Sequence, residues 1–223
     1  MQRANKVREL RPHPTRWLTA TACICAVLLS ACASDTDSNT DTSTTDDGYR
    51  GRLLQPPREK VDFSLQDTQG ATFEFRERTD GFVTLLFFGY THCPDVCPIH
   101  MANIAAVLKD FSYELRQQFK VIFVTTDPQR DTPQRMRQWL DNFDPAFIGL
   151  WGDHDEVNEI AGSLGLPPSV IFESEDGEYA VGHSAHVMVF TKDNLSHILY
   201  PFGTRQADWA HDLPGLANET WGE

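Results

Sequence analysis

Short apolar runs and longer amphipathic segments alternate along the chain from about Leu53 onward. Residues 82–88 and 121–124 are continuous apolar runs, which are typical of strands buried on both faces of a sheet. Residues 99–119, between them, repeat apolar positions at helical spacing and predict one long helix. The same patterns predict strands at 61–65, 71–75, 147–151, 170–172, 185–191 and 195–200, and helices at 133–143, 153–164 and 204–216. This order predicts an α/β domain with a central mixed β-sheet flanked by helices on both faces.

The N-terminal region predicts an export signal. Five basic residues precede an apolar run at 17–29, which is shorter than the about 20 residues that a membrane-spanning helix needs. The run ends in Leu29-Ser30-Ala31-Cys32, which resembles a bacterial lipobox, where cleavage before the cysteine exposes a thiol that carries diacylglycerol. Cleavage of an ordinary signal peptide at a nearby small residue is the alternative. We therefore predict a signal peptide at 1–31, lipid on Cys32, and an extracytoplasmic, membrane-anchored protein.

A polar segment follows the predicted lipid site. Residues 33–50 consist mainly of Ser, Thr, Asp and Asn and contain no aliphatic residue larger than Ala, a composition typical of a solvated, disordered chain. We therefore divide the mature protein into an acidic tether at 32–52 and a globular domain at 53–218. The whole chain carries a net charge of −13, and loss of the signal, with five bases and one acid, gives −13 − 4 = −17. Such a charge argues against a nucleic-acid binder.

The five cysteines separate into three groups. Cys23 and Cys25 lie inside the predicted signal and Cys32 is the predicted lipid site. Cys93 and Cys97 remain, four residues apart, between a buried strand and the predicted long helix. A helix N-terminus favours a thiolate, and two neighbouring sulfurs can bind a soft metal or form a disulfide. Spacing alone leaves a structural disulfide, a metal site and a redox pair open.

Three segments, in order along the chain, are similar to one protein family. Residues 88–98 read Phe-Gly-Tyr-Thr-His-Cys-Pro-Asp-Val-Cys-Pro and resemble the signature of the Sco/SenC family. Residues 126–133, Thr-Asp-Pro-Gln-Arg-Asp-Thr-Pro, and 143–150, Phe-Asp-Pro-Ala-Phe-Ile-Gly-Leu, also fit that family. The resemblance covers about residues 57–202. It implies a thioredoxin-like fold and a membrane-anchored copper-binding protein required for assembly of cytochrome c oxidase.

The resemblance also implies a set of copper ligands. In the family, the two signature cysteines and one downstream histidine bind copper, which here correspond to Cys93, Cys97 and His183. The family's histidine normally follows an aspartate, whereas Gly182 stands at that position in this chain. His186 is a second candidate, although 183 and 186 would point to opposite faces of a regular strand. Two thiolates and one imidazole suit Cu(I), and Cu(II) with an added weak donor; zinc accepts the same donors.

The implied function is a copper chaperone, more a metal-transfer module than an enzyme. The resemblance implies that it delivers copper to the binuclear centre of cytochrome c oxidase subunit II. The alternative is an extracytoplasmic thiol–disulfide oxidoreductase that reduces the cysteines of that subunit, or a peroxidase or redox sensor on the same scaffold. The Cys-x-x-x-Cys spacing and the absence of a proline at Ser184-Ala185 both differ from thioredoxins and favour the metal.

Other residues that carry potential ligand or acid–base groups are assigned to packing, turns or solvent. His100 could complete a zinc-like set with the two cysteines, but we expect it on the surface of its helix. Met101 and Met188 could be thioether donors, but we expect them in the core. We expect His92 beside the site or in an exposed loop, and Asp127 and Asp131 in a turn and a helix cap without a functional role. We expect His154 in solvent, and His197 and His211 without a recognisable partner.

Overall fold

A sheet of eight strands forms the centre of the domain. The structure is a computed structural model that describes residues 48–173, 179–219 and 221. The predicted signal peptide, Cys32 and most of the predicted tether lie outside these residues. The strands are β1 (Arg52–Glu59), β2 (Ser64–Asp67), β3 (Thr72–Glu74), β4 (Val83–Gly89), β5 (Phe119–Thr125), β6 (Ile148–Trp151), β7 (Val170–Glu173), β8 (Tyr179–Gly182), β9 (Val187–Phe190) and β10 (Leu195–Tyr200).

The strand order of the large sheet is β1-β10-β9-β4-β5-β6-β2-β3, and β7 pairs with β8 in a separate two-stranded sheet. The central pairs β4–β5 and β5–β6 are parallel, with Leu86 opposite Ile122. The pairs toward both edges are antiparallel. The prediction of a mixed sheet is therefore confirmed.

Helices cover both faces of this sheet. They are α1 (Phe75–Thr79), α2 (Val96–Asp110), α3 (Tyr113–Arg116), α4 (Pro133–Leu140), α5 (His154–Ser163) and α6 (Gln206–Asn218). Alternate residues of β4 point to opposite faces of the sheet and belong to different hydrophobic cores. Phe87 packs with residues of α2, α4 and α6, whereas Leu86 packs with residues of α5. This alternation explains why β4 and β5 are apolar throughout. Met101 and Met188 are fully buried, as predicted.

The predicted single helix over 99–119 is wrong. The helix α2 ends at Asp110, and Ser112 then accepts a hydrogen bond from the backbone N–H of Leu115 and begins the short helix α3. Phe119 already belongs to β5. The apolar spacing continues across this break, but the capping side chain of Ser112 provides an alternative to helical continuation.

The structure also contains elements that the sequence patterns did not predict. The strand β1 includes two prolines and pairs only at the edge of the sheet, where proline is tolerated. The strand at 170–172 is confirmed, but it pairs with β8 outside the central sheet, with its residues exposed. Among the described residues, no helix is long and apolar enough to cross a membrane.

Candidate metal centre

The two cysteines lie where β4 leaves the sheet and α2 begins. Cys93 is half-buried in the loop between them, and its backbone N–H donates to the carbonyl of Tyr90 at 3.2 Å. Cys97 lies in the first turn of α2 and is fully buried. Both cysteines are free. The loop therefore presents one sulfur at the surface and the helix holds the other in the core.

His183 approaches the two cysteines from a segment much later in the chain. It lies between β8 and β9, and its Nε2 is 3.4 Å from the Sγ of Cys97. The donor atoms of Cys93, Cys97 and His183 all lie within 4.8 Å of one another. Residues 183–186, which we call the histidine loop, do not form a strand. The predicted start of a strand at residue 185 is wrong, because β9 begins only at Val187. Within this loop His186 faces the hydroxyl of Ser184 at 3.4 Å.

A hydrogen bond determines which nitrogen of His183 faces the sulfurs. Its Nδ1 lies 2.9 Å from the carbonyl oxygen of Ser184. A carbonyl only accepts, so Nδ1 carries a proton and Nε2 is the nitrogen that faces Cys97. The rings of Phe87 and Tyr90 meet the imidazole edge-on at 5.8 and 5.5 Å. The imidazole is thus oriented as a ligand would be.

Gly182 precedes His183, at the position where the sequence resemblance leads us to expect an aspartate. A Cβ atom at Gly182 would lie 2.7 Å from the ring of Phe172, a residue of β7. The ring of Phe172 therefore fills the space that a side chain at position 182 would use. The hydrogen bond that orients His183 is donated by its own Nδ1 to the backbone carbonyl of Ser184.

The pKa values of the two thiols are shifted in opposite directions. Hydrogen bonds from Cys97, from His183 and from backbone N–H groups at the start of α2 lower the pKa of Cys93 well below its usual value. Burial, and then the neighbouring Cys93, raise the pKa of Cys97. Cys93 is therefore the thiolate of the pair and Cys97 retains the proton. The helix N-terminus acts on the exposed thiol as predicted, while desolvation outweighs it at the buried one.

Gly89 permits the close contact between β4 and α2 at this site. A Cβ atom there would lie 2.7 Å from the Sγ of Cys97 and 2.8 Å from the ring of Phe87. Real Cβ atoms do not approach other atoms so closely, so only glycine lets Cys97 pack directly against the strand.

Asp131 anchors the start of the loop that carries Cys93, contrary to the prediction that it serves only a turn or a helix cap. It is fully buried and accepts hydrogen bonds from the backbone N–H and the hydroxyl of Thr91, at 2.8 and 2.6 Å. The hydroxyl of Thr125 at the end of β5 donates to it at 2.8 Å. A buried carboxylate with three donors ties the loop to the sheet, two residues before Cys93.

Asp127 supports the neighbouring turn. It accepts hydrogen bonds from Arg130 at 2.5 Å and from the hydroxyl of Tyr179 at 2.8 Å. His92, Asp127 and Asp131 have donor atoms within 4.8 Å of one another. Because protein donors already occupy both carboxylates, this second group serves as support for the loop and turn.

Four further histidines differ from their predicted surroundings. His100 is buried, with 1% of its surface exposed, and not on the helix surface. His154 is held by Ser169 at 3.0 Å and not simply solvated. His197 has partners that the sequence did not show, since it lies 2.7 Å from Asp193 and stacks on Trp221. Ser169 and Trp221 are distant from their histidines along the chain and only the folded protein brings them close, whereas Asp193 is four residues before His197. His211, for which no partner was expected, lies 2.8 Å from Asp212.

The donor set of Cys93, Cys97 and His183 matches a soft metal ion. Two sulfurs and one imidazole nitrogen are ligands that Cu(I) and Zn²⁺ accept, while Mg²⁺ and Ca²⁺ prefer oxygen. Burial of Cys97 and the apolar rings around His183 exclude water from one side of the site. Cys93 leaves the other side open to a partner.

Comparisons with known proteins agree with this chemistry. Residues 52–218 match the SCO1/SenC family. A putative copper-binding protein of Stutzerimonas stutzeri is 33% identical over 156 residues, which cover 68% of this chain and 76% of that protein. The mitochondrial SCO2 homolog of Bos taurus is 33% identical over 138 residues, 60% of this chain and 50% of that protein. The chain thus spans about half the length of this second relative.

Solved structures give the same result. Copper-bound ScoI of Bradyrhizobium japonicum has a TM-score of 0.63 and 32% identity, covering 71% of this chain and 99% of that one. A second neighbour is BsSco, a member of the Sco family of cytochrome c oxidase assembly proteins in which a disulfide switch is identified. It has a TM-score of 0.58 at 19% identity and covers 76% of this chain and 98% of that one. At this identity it shows likeness of fold alone. These neighbours confirm the predicted thioredoxin-like fold. With a family match over 167 of its residues, counted from 52 to 218, the chain belongs to the SCO1/SenC family.

Proposed function

We propose that this protein is a copper chaperone that binds copper through Cys93, Cys97 and His183. The observation that carries the proposal is the convergence of two sulfurs and one correctly oriented imidazole nitrogen within 4.8 Å. The copper ion is cargo, bound for transfer and not for turnover. Relatives that are named copper-binding or solved with copper bound support this assignment.

The acceptor that we propose is subunit II of cytochrome c oxidase, whose binuclear centre contains copper. Membership in the SCO1/SenC family supports this partner. We further propose that lipid on Cys32 anchors the protein at the extracytoplasmic face of a membrane. A Cys32→Ser variant is expected to move from the membrane fraction to the soluble fraction, and its retention in the membrane would contradict the anchor.

Copper titration of the reduced protein tests the chaperone proposal. Wild type is expected to bind one copper per chain in competition with a chelator, and His183→Ala and Cys97→Ser are expected to weaken binding by about tenfold or more, since each removes a ligand. His186→Ala is the matched control, from the same loop, and is expected to bind like wild type. Wild type without copper binding would refute the proposal, and a larger effect of His186→Ala would transfer the ligand role to that residue.

A thiol–disulfide oxidoreductase is the second candidate function. It is favoured by the half-exposed Cys93, whose lowered pKa makes it the nucleophile, beside a second thiol that can resolve a mixed disulfide. This function requires both cysteines but not His183. Rapid reduction of a disulfide in a peptide of oxidase subunit II, by wild type and His183→Ala alike and without copper binding, would favour it over the chaperone.

A further inference from the structure

His100 is a polar ring enclosed by apolar ones. It lies in α2, three residues after Cys97, with 1% of its surface exposed. The rings of Phe87, Phe202 and Trp209 surround it, with centroids at 5.1, 6.0 and 6.5 Å. A buried imidazole in such a pocket is unfavourable unless its polar atoms form hydrogen bonds, and an apolar side chain would fill the space without that cost.

One hydrogen bond distinguishes His100 from an apolar residue. Its Nε2 lies 3.1 Å from the carbonyl oxygen of Ala185. Because a carbonyl only accepts, Nε2 carries the proton. The other nitrogen, Nδ1, is buried and has no hydrogen-bond partner among the described residues. The bond to Ala185 is therefore what the imidazole contributes at this position.

This bond connects the two segments that carry the candidate ligands. Ala185 belongs to the histidine loop, two residues after His183, and His100 is on the helix that carries Cys97. The loop and the helix also meet through the contact of Cys97 with His183. That contact joins the ligand atoms themselves and would be replaced by bonds to a metal. The bond from His100 does not involve a ligand atom, so it can hold the loop against α2 whether or not metal is bound.

We propose that His100 is a positioning residue for the metal centre. By holding the carbonyl of Ala185, it places the histidine loop so that the Nε2 atom of His183 faces the Sγ atom of Cys97. The inference rests on the proposed copper-binding function, and it goes further by assigning a role to a residue outside the ligand set.

Two variants of His100 separate its hydrogen bond from its packing. His100→Phe keeps an aromatic ring and removes the donor, whereas His100→Gln restores an N–H donor without the ring. His100→Phe is expected to weaken copper binding by about tenfold, the lower range for loss of a group that orients a metal ligand, and His100→Gln is expected to recover most of it. His211→Phe, on the half-exposed side of α6, is the matched control and is expected to bind copper like wild type.

A double-variant cycle tests whether His100 acts through His183. If it does, His100→Phe has no further effect on copper affinity once His183→Ala has removed the imidazole. An undiminished effect of His100→Phe in the His183→Ala background would overturn the proposal. Equal copper affinities of wild type and His100→Phe would also overturn it, as would failure of His100→Gln to bind better than His100→Phe.

A measurement on the metal-free protein keeps this inference separate from the proposed function. Amide hydrogen exchange of residues 185–187 is expected to accelerate in His100→Phe and to remain near the wild-type rate in His100→Gln and His211→Phe. Unchanged exchange in His100→Phe would refute the positioning role even if wild type binds copper. Accelerated exchange in a protein that does not bind copper would refute the chaperone and retain the role of His100 in the loop.

Discussion

Substitution of Gly89 by alanine tests how closely the metal centre depends on the contact between β4 and α2. The new Cβ atom would lie 2.7 Å from the Sγ of Cys97 and 2.8 Å from the ring of Phe87. Ordinary contact distances are about 3.5–4.0 Å, so the sulfur must move by roughly 1 Å. Overpacking of a well-packed core by one methyl group costs about 1–3 kcal/mol.

The displacement of the sulfur has a larger consequence for metal binding than for folding. Metal–ligand distances are held to within about 0.2 Å, so a movement of roughly 1 Å removes Cys97 from productive geometry. We expect Gly89→Ala to unfold at a lower urea concentration, consistent with a loss of about 2 kcal/mol, and to bind copper at least about tenfold more weakly than wild type.

The matched control for this variant is Gly162→Ala. Gly162 lies in α5, and a Cβ atom there would meet no atom within 4 Å. Alanine in a helix is favoured over glycine by about 1 kcal/mol, so this variant is expected to be more stable than wild type and to bind copper equally well. Copper affinity and urea unfolding of Gly89→Ala that both equal those of wild type would refute the packing argument.

Two further predictions concern buried charged groups. Asp131→Asn replaces a carboxylate oxygen that faces Thr91 or Thr125 by an N–H donor, and should lower the free energy of unfolding in urea by about 2 kcal/mol; no loss would show that the carboxylate does not anchor the loop. Burial lowers the pKa of Lys60 from 10.5 to about 8. The unfolded chain therefore binds more protons between pH 8 and 10.5, and the stability contributed at this site rises with pH across that window. Lys60→Met should accordingly be more stable than wild type at pH 7 by about 2 kcal/mol, with the difference decreasing toward pH 10.5; a constant difference measured by urea unfolding would contradict this account.

Local patterns predicted the parts of the fold that depend on local information. The strands β4 and β5 were predicted correctly because burial on both faces requires an unbroken apolar run. The end of α2 was not, because the apolar spacing continues past Ser112 and only its capping bond reveals the break. The hairpin of β7 and β8 was missed in part because its apolar residues are exposed, contrary to the rule that apolar strands lie in the core.

The same division applies to the site. The sequence brought attention to Cys93 and Cys97 because they are four residues apart, whereas His183 was selected through its resemblance to a family motif. The sequence did not reveal that His100 is buried, since this depends on Phe202 and Trp209, about 100 residues further along the chain. The opposite pKa shifts of the two thiols likewise depend on how deeply α2 is buried, which the spacing of the cysteines in the sequence does not reveal.

The asymmetry of the two cysteines allows the competing functions to be separated. In either function Cys93, half-exposed and ionised, is the sulfur that a partner reaches first, and Cys97 remains in the core. Only metal binding requires the imidazole of His183 as a third donor. His183→Ala removes one of the hydrogen bonds that lower the pKa of Cys93, but the larger contribution from Cys97 remains. The variant should therefore keep a reactive Cys93 thiolate while losing copper. The rate of Cys93 alkylation, measured beside copper affinity, then shows whether the imidazole serves metal binding or thiol chemistry.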